Sequence, residues 1–176
     1  AGLLYVYMPY HLVDVYVRCD LTESFAYIFL PLSVWAFGRL VESGGRRNLA
    51  WAAASYAGLI LAHNSTALVF TPFLMAYILL LLLRIWRSNG WPPAVRGAVR
   101  ALVGALLGGG LSAFFLLPAL LERQFIVQEQ WIQGSFSYLK HFVYPAQFFA
   151  PLWGFGYAGE GLVDDMSFQL GLVAVV

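Results

Sequence analysis

Arg18, Asp20 and Glu23 lie close together in the stretch VYVRCDLTES, directly before a long apolar run. A guanidinium carries its N–H donors in a planar fork that fits a phosphate or a carboxylate. A nearby carboxylate can orient that fork, hydrogen-bond sugar hydroxyls or move a proton. The same residues also have a structural reading. Asp20-Leu21-Thr22-Glu23 has the spacing of a capping box, and carboxylates suit the positive end of a helix dipole. Capping accounts for Asp20 and Thr22 without any chemistry. It does not account for Arg18, a cation at the wrong end of a helix unless Glu23, Asp14 or an external anion pairs with it.

Two further polar groups interrupt apolar sequence. In HNST, at 63–66, His63 and Asn64 either form a turn, with Asn64 and Ser65 capping the next helix, or line a wet cavity at membrane depth. Glu122 follows Pro118 at the end of a span and invites the same choice. His11, His63, His141 and several acids share one predicted face, yet no HxxxH, HxH or HxxE spacing supports a zinc site. The need for a divalent metal stays open. No P-loop, dinucleotide-binding glycine pattern, GxSxG or CxxC is present. Cys19 stands alone, so no intrachain disulfide can form.

The elements that must position these groups belong to a membrane. Residues are 61% hydrophobic and only 11% charged, well outside the soluble range. Mean hydropathy is +0.73. Spans are expected at 24–41, 49–62, 66–86 and 98–121, with partial spans before residue 10 and from Met166. The run 49–86 would make about 57 Å of helix, nearly twice a hydrocarbon core, so it must fold back at HNST. Its first half is too short to span unless protein shelters it. The fold class is therefore all-α, a polytopic transmembrane helix bundle. The chain reads as an incomplete fragment, a window from a longer protein.

Alternating spans sort the charges. Arg39, Arg46, Arg47, Arg84, Arg87, Arg96 and Arg100 share one side with a single acid, Glu42. Arg18, Arg123 and Lys140 share the other with all remaining acids. The positive-inside rule assigns the arginine-rich side to the cytoplasm. The opposite side then carries VYVRCDLTES, HNST, Glu122, all three histidines and the segment 122–165. That segment is rich in aromatic residues from Phe136 to Tyr157, as suits a headgroup layer. SFSYLKHFV is expected as a short interfacial helix stopped by Pro145, and APLWGFGYAGEG as a glycine-rich turn. Gly104 and Gly108 form a small-xxx-small packing face, with Gly109 and Gly110 extending it. Pro31, Pro72 and Pro118 lie within spans. No basic block suggests nucleic acid.

Four separated segments, YMPYHLVDVYVRCDLTESFAYIFLPLSVWAF, LAHNSTAL, FFLLPALLE and MSFQLG, carry a resemblance. Their order and spacing are similar to the 6-pyruvoyl-tetrahydropterin synthase-related family of prokaryotic integral membrane proteins. That family resembles the GT-C class of membrane glycosyltransferases, including the YfhO type. The resemblance covers nearly the whole chain, but only the middle of such a protein. Pro9, Tyr10, Arg18 and Glu23 match the first motif, with Cys19 where glycine is usual. His63, Asn64 and Glu122 match the others.

The resemblance implies a polyprenyl-phosphate sugar donor used at the outer face of the cytoplasmic membrane, in the cell envelope. Arg18, Tyr10, His63, Asn64 and His141 are then the expected substrate-binding set. Glu23 and Glu122 are the expected catalytic carboxylates. The family's usual catalytic acid is expected in a loop upstream of Ala1. A transporter or flippase for lipid-linked saccharides, or a non-catalytic membrane scaffold, are the alternatives.

Overall fold

The computed structural model describes residues 2–125, 137, 140–150, 153–159, 161 and 165–170. It is an all-α chain. Two short helices, α1 (Gly2–Val6) and α2 (Pro9–Val13), lead into a π-helical turn at Asp14–Arg18. Five longer helices follow: α3 (Leu21–Ser43), α4 (Arg46–Ala62), α5 (Asn64–Asn89), α6 (Trp91–Leu111) and α7 (Ala113–Leu121). Of these, α3, α5 and α6 are long and apolar enough to cross a membrane. The chain divides into two compact units, Ala1–Ser24 with Gln124–Val176, and Phe25–Arg123.

The second unit is a helix bundle whose turns are set by glycine and histidine. Gly44 and Gly45 separate α3 from α4 with φ of +66° and +90°, a region costly for any residue with a Cβ. Gly90, at φ +84°, does the same between α5 and α6. Pro92 and Pro93 follow in the first turn of α6, where their missing N–H groups would have had no helical partner. A single residue, His63, joins α4 to α5 in an extended conformation. Tyr56 and Thr71, nearly equidistant from His63 in sequence, share a hydroxyl–hydroxyl bond of 3.0 Å, so α4 and α5 run back against each other.

Close packing, not a hydrophobic drive, holds helices together in lipid. Here α6 presents Gly97, Ala101, Gly104 and Gly108, all buried, along one face. A Cβ at Gly104 would stand 2.9 Å from Leu40 Cδ2 and 3.6 Å from Ala52 Cβ. One at Gly108 would meet the Ala53 carbonyl oxygen at 3.0 Å and the Tyr56 ring at 3.0 Å. Above this seam lies a core of Phe37, Leu40, Val41, Ala52, Leu74 and Ala101. A second cluster joins Ala26, Leu59, Ile60 and Ala67. Ser33, fully buried on α3, is the one buried side-chain oxygen without a hydrogen bond among the described residues.

Several sequence expectations are corrected. The span expected at 98–121 is two helices meeting at Ser112, and α6 starts earlier, at Trp91. Arg96 and Arg100 are therefore helical, because charge does not end a helix whose turn chemistry lies at Gly90. Gly109 and Gly110 do not extend the packing seam. Nothing stands within 4 Å of either, since successive helical residues point about 100° apart. The expected partial span before residue 10 is two short helices interrupted at Tyr7 and Met8.

In the first unit, Pro145 opens a 3-10 turn, Pro145–Phe149, and stops no helix that is described. Four of the nine residues of SFSYLKHFV, and the chain end beyond residue 170, lie outside the described residues; 141–143 are irregular, so the expected interfacial helix does not reach Pro145. Within APLWGFGYAGEG, Phe155 pairs with Met166 in an isolated antiparallel bridge. Gly154 and Gly156 lie against Asp165 with no room for a Cβ.

Candidate functional site

The first unit gathers three polar side chains, Tyr10, Asp14 and Glu23, on Arg18, with Ser24 behind Asp14. The π-turn is the device that does it. Its wide winding lets the Asp14 carbonyl accept from Cys19 N, five residues on, and from Asp20 N at 3.1 Å. Cys19 closes the turn in the left-handed region, at φ 55° and ψ 27°. Glycine is the residue that adopts this conformation without strain. The tight backbone survives without one, at a cost of about 1 kcal/mol. The Cys19 thiol is exposed. π-turns of this kind recur at functional sites.

Asp20 caps α3 as its spacing predicts. Its Oδ1 accepts from Glu23 N at 2.9 Å and from the Thr22 hydroxyl at 2.7 Å. The Glu23 carboxylate takes up a different bond. Its Oε2 accepts from Arg18 Nη1 at 2.8 Å. The same Nη1 donates to Asp14 Oδ1 at 2.9 Å and to the Tyr10 hydroxyl at 3.0 Å. Asp14 is held from its other side by the Ser24 hydroxyl, which donates to Oδ2 at 2.8 Å.

All three bonds to Arg18 end on one nitrogen. Its Nε and Nη2, which carry the other donors, make no hydrogen bond among the described residues. The Arg18 side chain is 33% exposed, whereas those of Asp14 and Glu23 are 0% and 14% exposed. Burial pushes the Asp14 carboxyl above the ordinary carboxylate range, against the opposing pull of Ser24 and Arg18. Burial works against the Arg18 charge, but Tyr10, Glu23 and Asp14 outweigh it and hold the guanidinium above its usual value. One edge of the arginine is thus locked, and among the described residues the other is left as a fork.

His63, Asn64 and Glu122 belong to the second unit. The His63 ring, not Asn64 or Ser65, caps α5. Its Nδ1 accepts from Thr66 N at 3.3 Å and pairs with the Thr66 hydroxyl at 2.7 Å. An accepting Nδ1 puts the ring proton on Nε2. Asn64 is exposed in the first turn of α5. Glu122 is exposed at the C-terminus of α7, where the helix dipole offers a carboxylate no stabilisation. His141 is exposed in the first unit and is not among the partners of Arg18.

Asp14 and Ser24 are the members that sequence reasoning passed over. Asp14 entered it only as one possible partner for Arg18. The four-residue spacing to Arg18 was the available signal, and full burial of Asp14 is what makes it central. Among the described residues, no three His, Cys, Asp or Glu side chains gather in a way that could hold a metal ion. No protein-family model, no curated protein and no solved structure matches the chain.

Proposed function

We propose that this chain is part of a membrane-embedded glycosyltransferase that takes its sugar from a polyprenyl-phosphate carrier. The supporting observation is Arg18: one guanidinium edge is clamped by Tyr10, Asp14 and Glu23, and the other makes no hydrogen bond among the described residues, beside the start of an apolar helix. A phosphate diester or monoester takes two such N–H donors side by side. Two neighbouring carboxylates lower the local positive potential, so this fork selects by geometry more than by net charge.

In the proposed reaction, an acceptor hydroxyl attacks the anomeric carbon, and the bond from that carbon to the phosphate oxygen breaks. The phosphate leaves with the electron pair, and Arg18 stabilises the charge that develops on it. Glu23 is a positioning residue, because its oxygen already holds Arg18. The acceptor proton must pass to another carboxylate. Glu122, exposed at the end of α7 in the second unit, is given no step beside Arg18. His63 serves α5 as a cap, and Asn64 and His141 stay as sugar-contact candidates.

The test is transfer from a lipid-linked donor by the full-length protein in proteoliposomes. Arg18→Ala should abolish it, and undiminished transfer would overturn the assignment. The site is proposed to face the exterior of a prokaryotic cytoplasmic membrane. In a protein cleared of other cysteines, an impermeant maleimide should then label Cys19 on intact cells and spare Ser43→Cys.

A further inference from the structure

Three arginines surround one cavity in the second unit. The last turns of α5 supply Arg84 and Ser88, and the first turns of α6 supply Arg96 and Arg100. With the end of α3 they line about 540 Å³. Arg84 and Ser88 are four residues apart on α5, as are Arg96 and Arg100 on α6, so each pair shares a helix face. Glu42 is the only carboxylate in the lining. Among the described residues, no carboxylate lies within ion-pair distance of Arg84, Arg96 or Arg100, and the two ion pairs present both belong to Arg18.

The seat of Arg100 is built into the turn. Gly44, at φ +66°, lets the guanidinium lie directly over it, and a Cβ there would stand 2.6 Å from Arg100 Cζ. Its only hydrogen bond among the described residues is a long one, from Nη1 to the Val41 carbonyl at 3.5 Å. A second hollow of about 530 Å³ shares Arg84 and Ser88 with the first and continues along α5 past Leu80 and Leu83. Those two leucines are 66% and 43% exposed. Three cations against one carboxylate around a shared cavity call for an anion. An apolar wall continuing from them along a span calls for a hydrocarbon chain.

We propose that this cavity binds the phosphate headgroup of an acidic membrane lipid, with an acyl chain lying along Leu80 and Leu83. Basic pockets between membrane helices bind anionic headgroups in this way. The site is independent of the glycosyltransferase reading. It sits at the C-terminal end of α3, on the side that the arginine bias assigns to the cytoplasm.

The experiment uses the full-length protein in nanodiscs of phosphatidylcholine with a minor fraction of phosphatidylglycerol, scored by native mass spectrometry for retained lipid. The parent should retain phosphatidylglycerol preferentially. Arg84→Gln with Arg96→Gln and Arg100→Gln should lose that preference, about tenfold or more. Arg39→Gln with Arg46→Gln and Arg47→Gln removes the same charge away from the cavity and should retain it. The charge-preserving lysine triple, which guards against misfolding, should weaken retention without abolishing it. Equal loss in both glutamine triples would reduce the effect to general surface charge and overturn the proposal. Unchanged retention in the cavity triple would overturn it as well. Full displacement by inorganic phosphate at matched concentration would overturn the lipid assignment.

Discussion

Replacing Arg18 by lysine separates its two roles. Lysine keeps a cation for Asp14 and Glu23 but presents a point charge where arginine presents a planar fork. Methionine removes both. Breaking a buried ion pair costs about 3–5 kcal/mol, because a charge is left behind without compensation. Asp14 is 0% exposed, but Arg18 is 33% exposed, so water recovers part of that loss. For Arg18→Met we expect the first unit to lose about 2 kcal/mol. For Arg18→Lys we expect a loss under about 1 kcal/mol.

Ligand binding should follow the opposite logic. Each hydrogen bond to a charged group contributes about 1.5–3 kcal/mol, and lysine can replace one of the two that Nε and Nη2 would make. The remaining deficit, about 2 kcal/mol, is about a 30-fold weaker affinity. Stability is read by hydrogen exchange across residues 9–24, and affinity by displacement of a fluorescent polyprenyl phosphate from the full-length protein in nanodiscs. Parental affinity in Arg18→Lys would refute the fork argument. Parental stability in Arg18→Met would refute the clamp.

Cys19→Gly should raise the thermal unfolding midpoint, by relieving about 1 kcal/mol of left-handed strain, while Cys19→Val should lower it. Asp14 sets a pH dependence. Its carboxyl is raised in the folded chain, so its contribution is complete below the ordinary carboxylate value and is lost as pH rises through the raised one. Asp14→Asn should flatten that decline in a stability profile taken from about pH 4 to pH 7, and an unchanged slope would assign it elsewhere. Gly108→Leu forces a side chain against the Ala53 carbonyl and should cost about 2–3 kcal/mol in detergent unfolding. Gly109→Leu points into open space and should be close to neutral.

The fold was legible wherever a chemical reason for a boundary sits in the sequence. Gly44, Gly90 and His63 mark turns that hydropathy and charge already bracketed. The break at Ser112 was not legible, because its neighbours are as apolar as the helices on either side. The early start of α6 was obscured by Arg96 and Arg100, which look like loop residues and lie on a helix. For the site, the pairing of Arg18 with Glu23 was legible as a charge left over from capping. That all its contacts would converge on one nitrogen was not, since this follows from the π-turn, and a π-turn has no sequence pattern of its own. Cys19 illustrates the same gap: the αL backbone that favours glycine at this position is visible only in the structure.

The 17 residues of α4 have a consequence for how this protein is made. They reach about 25 Å, short of the roughly 30 Å that a lone segment must cross. Released by itself from the insertion machinery, α4 would leave a polar end in hydrocarbon. Its link to α5 is a single residue, so the two cannot be delivered far apart. The face of α4 that carries Ala52, Ala53 and Tyr56 is matched by Gly104 and Gly108, which emerge from the ribosome some 50 residues later. In a membrane, α4 is therefore expected to wait for α5 and α6, and the glycine seam is the face that would receive it.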